Sequence, residues 1–442
     1  MSHHQHVKYL LIGGGLTSSS AANAIRRHDR EGAIQLIGQE PTRPYHRAPL
    51  SRAFLRGSVS REKLFTDYVD WFRENRIDLH TGVRAVQLEA RRKCVSLDNG
   101  DEISFEKLLI ATGASPKHLS LPGSSLANVH YLRNLADADR LHHAIEQAKK
   151  EGRPFQSASG SIGSRGAVTV IGGGLLGVEL AATLTGLGLA VHLVVAGPYL
   201  WKKFAGESVG KFLARYLEQH NITVILNAEA KSLEGDGRVQ RVVLSDGRII
   251  PCDFVVAAIG VLPNKDLLRG TPLSGERAIL VDEHCRTNVP DIYAAGDCAA
   301  MFDPLSGKHR QLDQWDSAIA TGTLAGHHMA GAEMVYKGIS HFTSEVFDLR
   351  LSVWGEARHV DHHILRGLPA SETPDLIEFG VAADGRIAQV LALNHGTQDE
   401  MLQELVRQRF NVIGNEDQLR DPQMKLDALL QSPPLGTPRG GD

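Results

Sequence analysis

A chain of 442 residues, 42% of them hydrophobic, has room for roughly two to four domains, each with a core of its own. Its net charge of −3 at neutral pH argues against a nucleic-acid or membrane-surface role for the chain as a whole. No stretch reaches the ~20 apolar residues of a membrane span, and the start MSHHQHVKYLLIGGG runs from an apolar segment straight into glycines without a signal-peptide pattern, so a cytoplasmic protein is expected.

In chain order, His3, His4 and His6 could hold a metal ion weakly, but a frayed, solvated end with no metal is expected. Val7–Ile12 is an apolar strand that runs into Gly13-Gly14-Gly15; the small residues Ser18 to Ala24 then open a helix able to lie close on its neighbours, and Ala33–Ile37 is a second buried strand. Together they read as the start of a Rossmann unit. CVSLDNGDEISFEKLLIATGA predicts a hairpin turning at Asn99-Gly100 and leading to a buried strand at Leu108–Thr112. Lys149–Ala167, rich in Gly and Ser, predicts a mobile surface loop. Val168–Ile171 then begins a second unit, and VVLSDGRIIPCDFVVAAIG repeats the hairpin-plus-strand pattern. The repeated order of elements points to two related nucleotide domains rather than a solenoid. From about His341 the texture changes. FTSEVFDLRLSVWG and GRIAQVLALNH alternate like antiparallel strands, TQDEMLQELVRQRF reads as an amphipathic helix, and QSPPLGTPRGGD reads as a loose tail.

A strand that ends in G-x-G-x-x-G presents backbone N–H groups at a helix N-terminus, an arrangement suited to a pyrophosphate. The second loop carries all three glycines, Gly172, Gly174 and Gly177; the first has Gly13 and Gly15, with Ser18 in third place. Two tight packing turns without a ligand are the bland alternative. Two cradles suggest two dinucleotides, as in a flavoenzyme that takes hydride from a nicotinamide. The four cysteines, Cys94, Cys252, Cys285 and Cys298, form no C-x-x-C pair. That disfavours a disulfide framework, a zinc knuckle or a dithiol redox centre and leaves plain thiols.

RPYHRAPLSR (Arg43–Arg52) resembles the P-Y-x-R-P-x-L-S-K signature of the FAD-dependent ferredoxin and rubredoxin reductases and of apoptosis-inducing factor. LLIATGASP, AAIGVLPN and DIYAAGDCAA resemble further blocks of that two-dinucleotide branch of the pyridine nucleotide-disulfide oxidoreductases, and HFTSEVFDLRLSVWG aligns without gaps on its C-terminal signature F-W-S-D-Q-x-x-x-x-x-Q-x-x-G. The resemblance implies an α/β fold with two Rossmann-like, glutathione-reductase-like domains and a C-terminal α+β domain. Residues 1–133 and 253–338 would form an FAD domain in two segments, residues 134–252 the inserted NAD(P)H domain, and residues 339–442 the C-terminal domain. Gly13, Gly15 and Thr17 would hold FAD. Gln39 and Glu40 follow the second strand, Glu40 being the better candidate for the adenosine ribose. Arg47 and Arg52 would line the flavin, Val86 would sit by the adenine, Thr112 and Gly113 would lie close to the cofactor, and Asp297 would bond the ribityl chain. Ala111, Gly296, Trp315, Leu175, Leu176 and Gly260 complete the candidate cofactor contacts.

Family members place a Lys where this chain has Arg52, near the reactive edge of the flavin and paired with a Glu that corresponds to Glu179; the two are the candidate catalytic residues. Three departures stand out. Val195 replaces the usual ribose-binding Glu, while Lys202 and Lys203 nearby could meet a 2′-phosphate. Thr343 replaces the signature Trp that packs beside flavin and nicotinamide, and Val346 replaces the signature Gln. No Cys lies near Arg47–Arg52 or the first helix, which rules against the cysteine-dependent reductases of the wider superfamily. The implied function is hydride transfer from NADH or NADPH to FAD, with electrons passed to a small iron–sulfur protein; a homodimer is left open. The alternatives are a redox-responsive flavoprotein like apoptosis-inducing factor, and a flavin-bearing scaffold with an inactive nicotinamide site.

Overall fold

The computed structural model describes residues 4–66, 69–152, 154–156, 162–273, 275–303, 308–311, 314–335, 338–367, 375–394 and 399–427. Two compact units emerge: Met1–Pro49, Gly57–Lys117 and Val261–Gly338 form one, and Leu50–Arg56, His118–Gly260 and Ile339–Asp442 form the other.

The first unit is built on a sheet whose parallel strands run in the order Ile77–Thr81, Ile34–Gly38, His4–Ile12, Glu102–Ile110. The long strand Glu102–Ile110 divides its free edge. Its first half takes the antiparallel hairpin arm Cys94–Leu97, and its last residues take the parallel strand Ile292–Ala294. The hairpin turns at Gly100 as expected, but its second arm and the buried strand expected at Leu108–Thr112 are one continuous element. The histidine-bearing start is no frayed end either. His4 and His6 stand opposite Glu102 and Ser104 in the first strand, and His6 Nδ1 lies 3.0 Å from Ser104 Oγ; His3 lies outside the described residues. No group of metal-ligating side chains forms among the described residues.

The small residues of the helix Leu16–His28 have a physical reason. The helix Trp315–Met329 lies directly on its backbone: a Cβ at Gly322 or Gly326 would stand 2.3 Å from Thr17 O or 2.4 Å from Ala21 O.

The second unit repeats the design. Its five parallel strands run in the order Ile222–Ile225, Ala190–Val194, Ala167–Ile171, Phe254–Ala257, Val129–His130. This sheet reaches past both ends of the interval 134–252 expected from sequence. Phe254–Ala257 pairs with the central strand and Val129–His130 closes the edge, so the borders of the compact unit fall at Lys117/His118 and Gly260/Val261. Within the expected surface loop, Pro154–Gln156 and Ile162–Arg165 pair as antiparallel strands; residues 153 and 157–161 lie outside the described residues, as does the expected tail 431–442.

The same unit contains the C-terminal α+β domain. Its antiparallel sheet runs in the order His341–Val346, Leu349–Gly355, Ile387–Leu393, Leu376–Val381, His362–Arg366, and the helix Asp399–Arg407 buries Leu402 and Leu405 in the core with Trp354, Ile364 and Phe379. The domain holds the helix Glu207–Gln219 at both ends. The buried Glu378 accepts a hydrogen bond from Gly206 N at 2.8 Å at the helix start, and Asp348 accepts one from the Tyr216 hydroxyl near its end. Among the described residues no helix is long and apolar enough to cross a membrane.

Candidate functional site

The two glycine loops share their backbone hydrogen bonds. Gly13 N donates to Ile37 O and Ala111 N to Ile12 O; Gly172 N donates to Val194 O and Ala258 N to Ile171 O, all at 2.8 Å. Gly13 and Gly172 have φ of +128° and +124°, and a Cβ on either would meet the carbonyl oxygen of Ala111 at 2.0 Å or of Ala258 at 2.3 Å. Only glycine satisfies both the dihedral and the space. Gly15 and Gly174 differ: each is the extended N-cap of its helix, and a Cβ there would have nothing within 4 Å. Neither helix start has a side-chain cap or an acidic residue in its first turn. Open space in front of uncapped N–H donors at the positive end of a helix fits a pyrophosphate, so both loops pass the test for a dinucleotide. The loops part at the third position. A Cβ at Gly177 would strike Gly172 O at 1.9 Å, whereas the first loop admits Ser18, fully buried and with no hydrogen-bond partner for its Oγ among the described residues.

Around the first loop the expected residues gather in part. Thr17 is buried and fills the space beside Gly296. Thr112 Oγ1 donates to Asn264 O at 2.6 Å, Asn264 Nδ2 returns a bond to Thr112 O at 2.9 Å, and Asn264 N donates to Gly113 O. Glu40 accepts from the Tyr45 hydroxyl at 2.6 Å and from Arg47 at 2.5 Å. Asp297 lies in the turn Gly296–Cys298, where its carbonyl accepts from Gln311. Trp315, 43% exposed, starts the long helix and donates from Nε1 to His46 Nδ1 at 3.3 Å. Val86 and Gln39 are exposed.

In the second unit Leu175 and Leu176 form the first turn after Gly174, and Gly260 is exposed just beyond the strand Phe254–Ala257. Glu179 is buried on the same helix. Arg52 Nε stands 3.7 Å from its Oε1, and the hydroxyls of Ser51 and Ser344 donate to its Oε2 and Oε1, each at 2.6 Å. Arg52 and Glu179 thus stand as an ion pair. Arg47 and Arg52, both expected at the flavin, belong to different compact units.

Tyr45, Asn264, Ser51 and Ser344 were not singled out in sequence, although each lies inside a quoted motif. Ser344 is the S of F-W-S-D, and only the fold shows that its strand runs past the helix that bears Glu179.

The pattern of the pyridine nucleotide-disulphide oxidoreductases matches residues 7–322, and that of the reductase C-terminal domain matches residues 341–430. The chain belongs to the pyridine nucleotide-disulphide oxidoreductase family. It is 30% identical over 425 residues to the ferredoxin–NAD(+) reductase component of the biphenyl dioxygenase system of Paraburkholderia xenovorans, covering 96% of this chain and 98% of that one. A rubredoxin-NAD(+) reductase of Pseudomonas putida is 28% identical over 353 residues, covering 80% and 87% of the two chains. A ferredoxin reductase from Rhodopseudomonas palustris superposes with a TM-score of 0.86 at 27% identity, over 95% of this chain and 99% of that one.

As a member of this family the chain is an oxidoreductase that works with FAD and a nicotinamide coenzyme. Its departures have structural readings. All four cysteines are free and buried, and burial pushes the Cys252 thiol up to about 12, as plain thiols require. Along His341–Val346, Thr343 points to the exposed side, while Val346 is fully buried and belongs to the apolar side. Val195 is buried with its methyl groups against Gly173, and Lys202 and Lys203 are exposed.

Proposed function

We propose that the first unit binds FAD, that the nucleotide-binding part of the second unit binds NADH or NADPH, and that the chain passes electrons to a small iron–sulfur carrier. The observation that carries this is the repetition of two uncapped glycine cradles with matching backbone hydrogen bonds in one chain, supported by relatives named as ferredoxin and rubredoxin reductases. Bound FAD would supply an acceptor for hydride and release the electrons one at a time. The chain's part is binding and orientation. Gly13, Gly15 and Thr17 would take the flavin pyrophosphate, Glu40 the ribose, Arg47 and Thr112 the flavin surroundings, and Asp297 the ribityl chain. Gly172, Gly174, Leu175 and Leu176 would take the coenzyme. Arg52, anchored by Glu179, would supply a cation for charge that builds up on reduction. The domains would then be an FAD domain in two segments, an inserted coenzyme domain and the C-terminal domain, in a cytoplasmic protein with no nucleic-acid or membrane partner.

The test is direct. Purified protein should be yellow and release one FAD per chain on denaturation, and anaerobic NADH should bleach it, with a ferredoxin or rubredoxin restoring the colour. Release of no flavin, or of FMN, removes the basis of the reading. Thr343 in place of the signature Trp favours one second reading, a redox-responsive flavoprotein like apoptosis-inducing factor. That reading expects a long-lived charge-transfer band after reduction and slow transfer to either carrier.

A further inference from the structure

Glu179 occupies an unusual place for a carboxylate. Its neighbours on the helix Leu175–Gly186, Val178, Leu180 and Ala181, are fully buried, and Glu179 itself is 6% exposed. Burial pushes its carboxyl upward, toward the neutral form, and exposed Glu345 on the adjacent strand adds to this; Arg52 and the two serines oppose it. Arg52 approaches through Nε at 3.7 Å, so it does not supply the two parallel bonds of a bidentate pair. The close contacts come from Ser51 and Ser344, themselves 4% and 1% exposed, with one hydroxyl on each carboxylate oxygen. An ionised carboxylate accepts strongly on both oxygens at once, whereas protonation makes one oxygen a donor and a weaker acceptor, so one hydroxyl donating to each oxygen suits the ionised form.

We propose that Ser344, from the C-terminal domain, and Ser51 clamp Glu179 as a carboxylate beside Arg52, which makes Ser344 a positioning residue for the redox site. The inference rests on the placement of Arg52 and Glu179 at the flavin given above. It also gives the C-terminal domain a part in the chemistry. The register of His341–Val346 turns Ser344 inward and Thr343 outward, so the domain reaches the redox pair through the serine.

Infrared difference titration of the holoenzyme, referenced to Glu179→Gln, reads the protonation of this carboxyl. Ser344→Ala should move its midpoint upward by about one pH unit, a tenfold change in the ionisation ratio, and Ser344→Thr should restore it. Ser51→Ala should move it in the same direction and covers the case in which Ser344→Ala does not fold. A loss of packing alone would lower the melting temperature and leave the midpoint in place, and an unmoved midpoint in both alanine variants overturns the clamp. Flavin reduction by NADH, followed across the same pH range, separates the two claims. If the midpoint moves and the rate ignores it, the clamp stands and the placement of Glu179 in the redox site falls.

Discussion

Gly172 and Gly174 stand two positions apart, and the structure assigns them different tasks. Gly172→Ala must push a Cβ into a carbonyl oxygen at 2.3 Å with φ at +124°, and should cost the fold at least ~2 kcal/mol. Gly174→Ala meets open space and should leave the melting temperature almost unchanged, while a methyl group where phosphate should approach weakens coenzyme binding tenfold or more. Thermal melts and coenzyme titrations of both variants check the pair; weak binding without loss of stability in Gly174→Ala is the signature of a phosphate cradle. The coenzyme's 2′ position is a second residue-scale question. Without an acidic residue at Val195, and with Lys202 and Lys203 exposed nearby, the chain should use both coenzymes or favour NADPH slightly. Val195→Glu should move the preference toward NADH by about tenfold, since a carboxylate accepts from the 2′-hydroxyl and repels a 2′-phosphate. Stopped-flow reduction with each coenzyme measures the ratio. Residues of this kind were legible because a glycine or a missing acid has meaning at a fixed place in a motif. Ser51 and Ser344 were not, because a serine has no signature until a fold brings a carboxylate to it.

Between the first helix and the second strand, Asp29 ties the connection together. It accepts from Lys8 Nζ at 2.8 Å, the Tyr9 hydroxyl at 3.0 Å, Glu31 N at 3.0 Å and Gly32 N at 2.7 Å. The Lys8 bond first, and then the Gly32 amide, hold its carboxyl well below the usual carboxylate range. A carboxyl whose folded value lies below its unfolded value of ~3.9 stabilises the fold above that pH and loses the contribution as pH falls through the folded value. Asp29→Asn should therefore be less stable at pH 7 by about 1–3 kcal/mol, with the gap closing in acid; urea melts at pH 7 and below pH 3 test it. The elements themselves were largely legible. The turn at Asn99-Gly100 and the strands Ile34–Gly38 and Ala167–Ile171 carry strong local patterns. The extension of the first strand through His4 and His6 was missed because polar residues carry no apolar period, and its partner Glu102–Ser104 lies far off in sequence.

At the scale of the molecule, two compact units with a cradle each should respond to different ligands. Thermal unfolding should resolve two transitions, with added FAD raising one and ADP-ribose the other, by up to ~2.7 kcal/mol at a hundredfold excess over Kd. A single transition that both ligands move equally would show that the units unfold as one. The repeat behind this design was visible in the sequence, as was the change of texture at His341. The borders of the second sheet were not, because the two-residue strand Val129–His130 is too short to leave a pattern and only its pairing with Phe254–Ala257 reveals it.

The strand Ile292–Ala294 completes the first sheet by pairing with Leu108–Ile110, and that pairing sets an order of events during synthesis. As the chain leaves the ribosome, its first hundred or so residues lack the strand that closes their sheet and the long helix that covers Leu16–His28. All of His118–Gly260 emerges before either arrives. The second parallel sheet, whose five strands all lie between Val129 and Ala257, can therefore begin to assemble while the first sheet still lacks Ile292–Ala294, and the first glycine loop is completed on all sides only after the second.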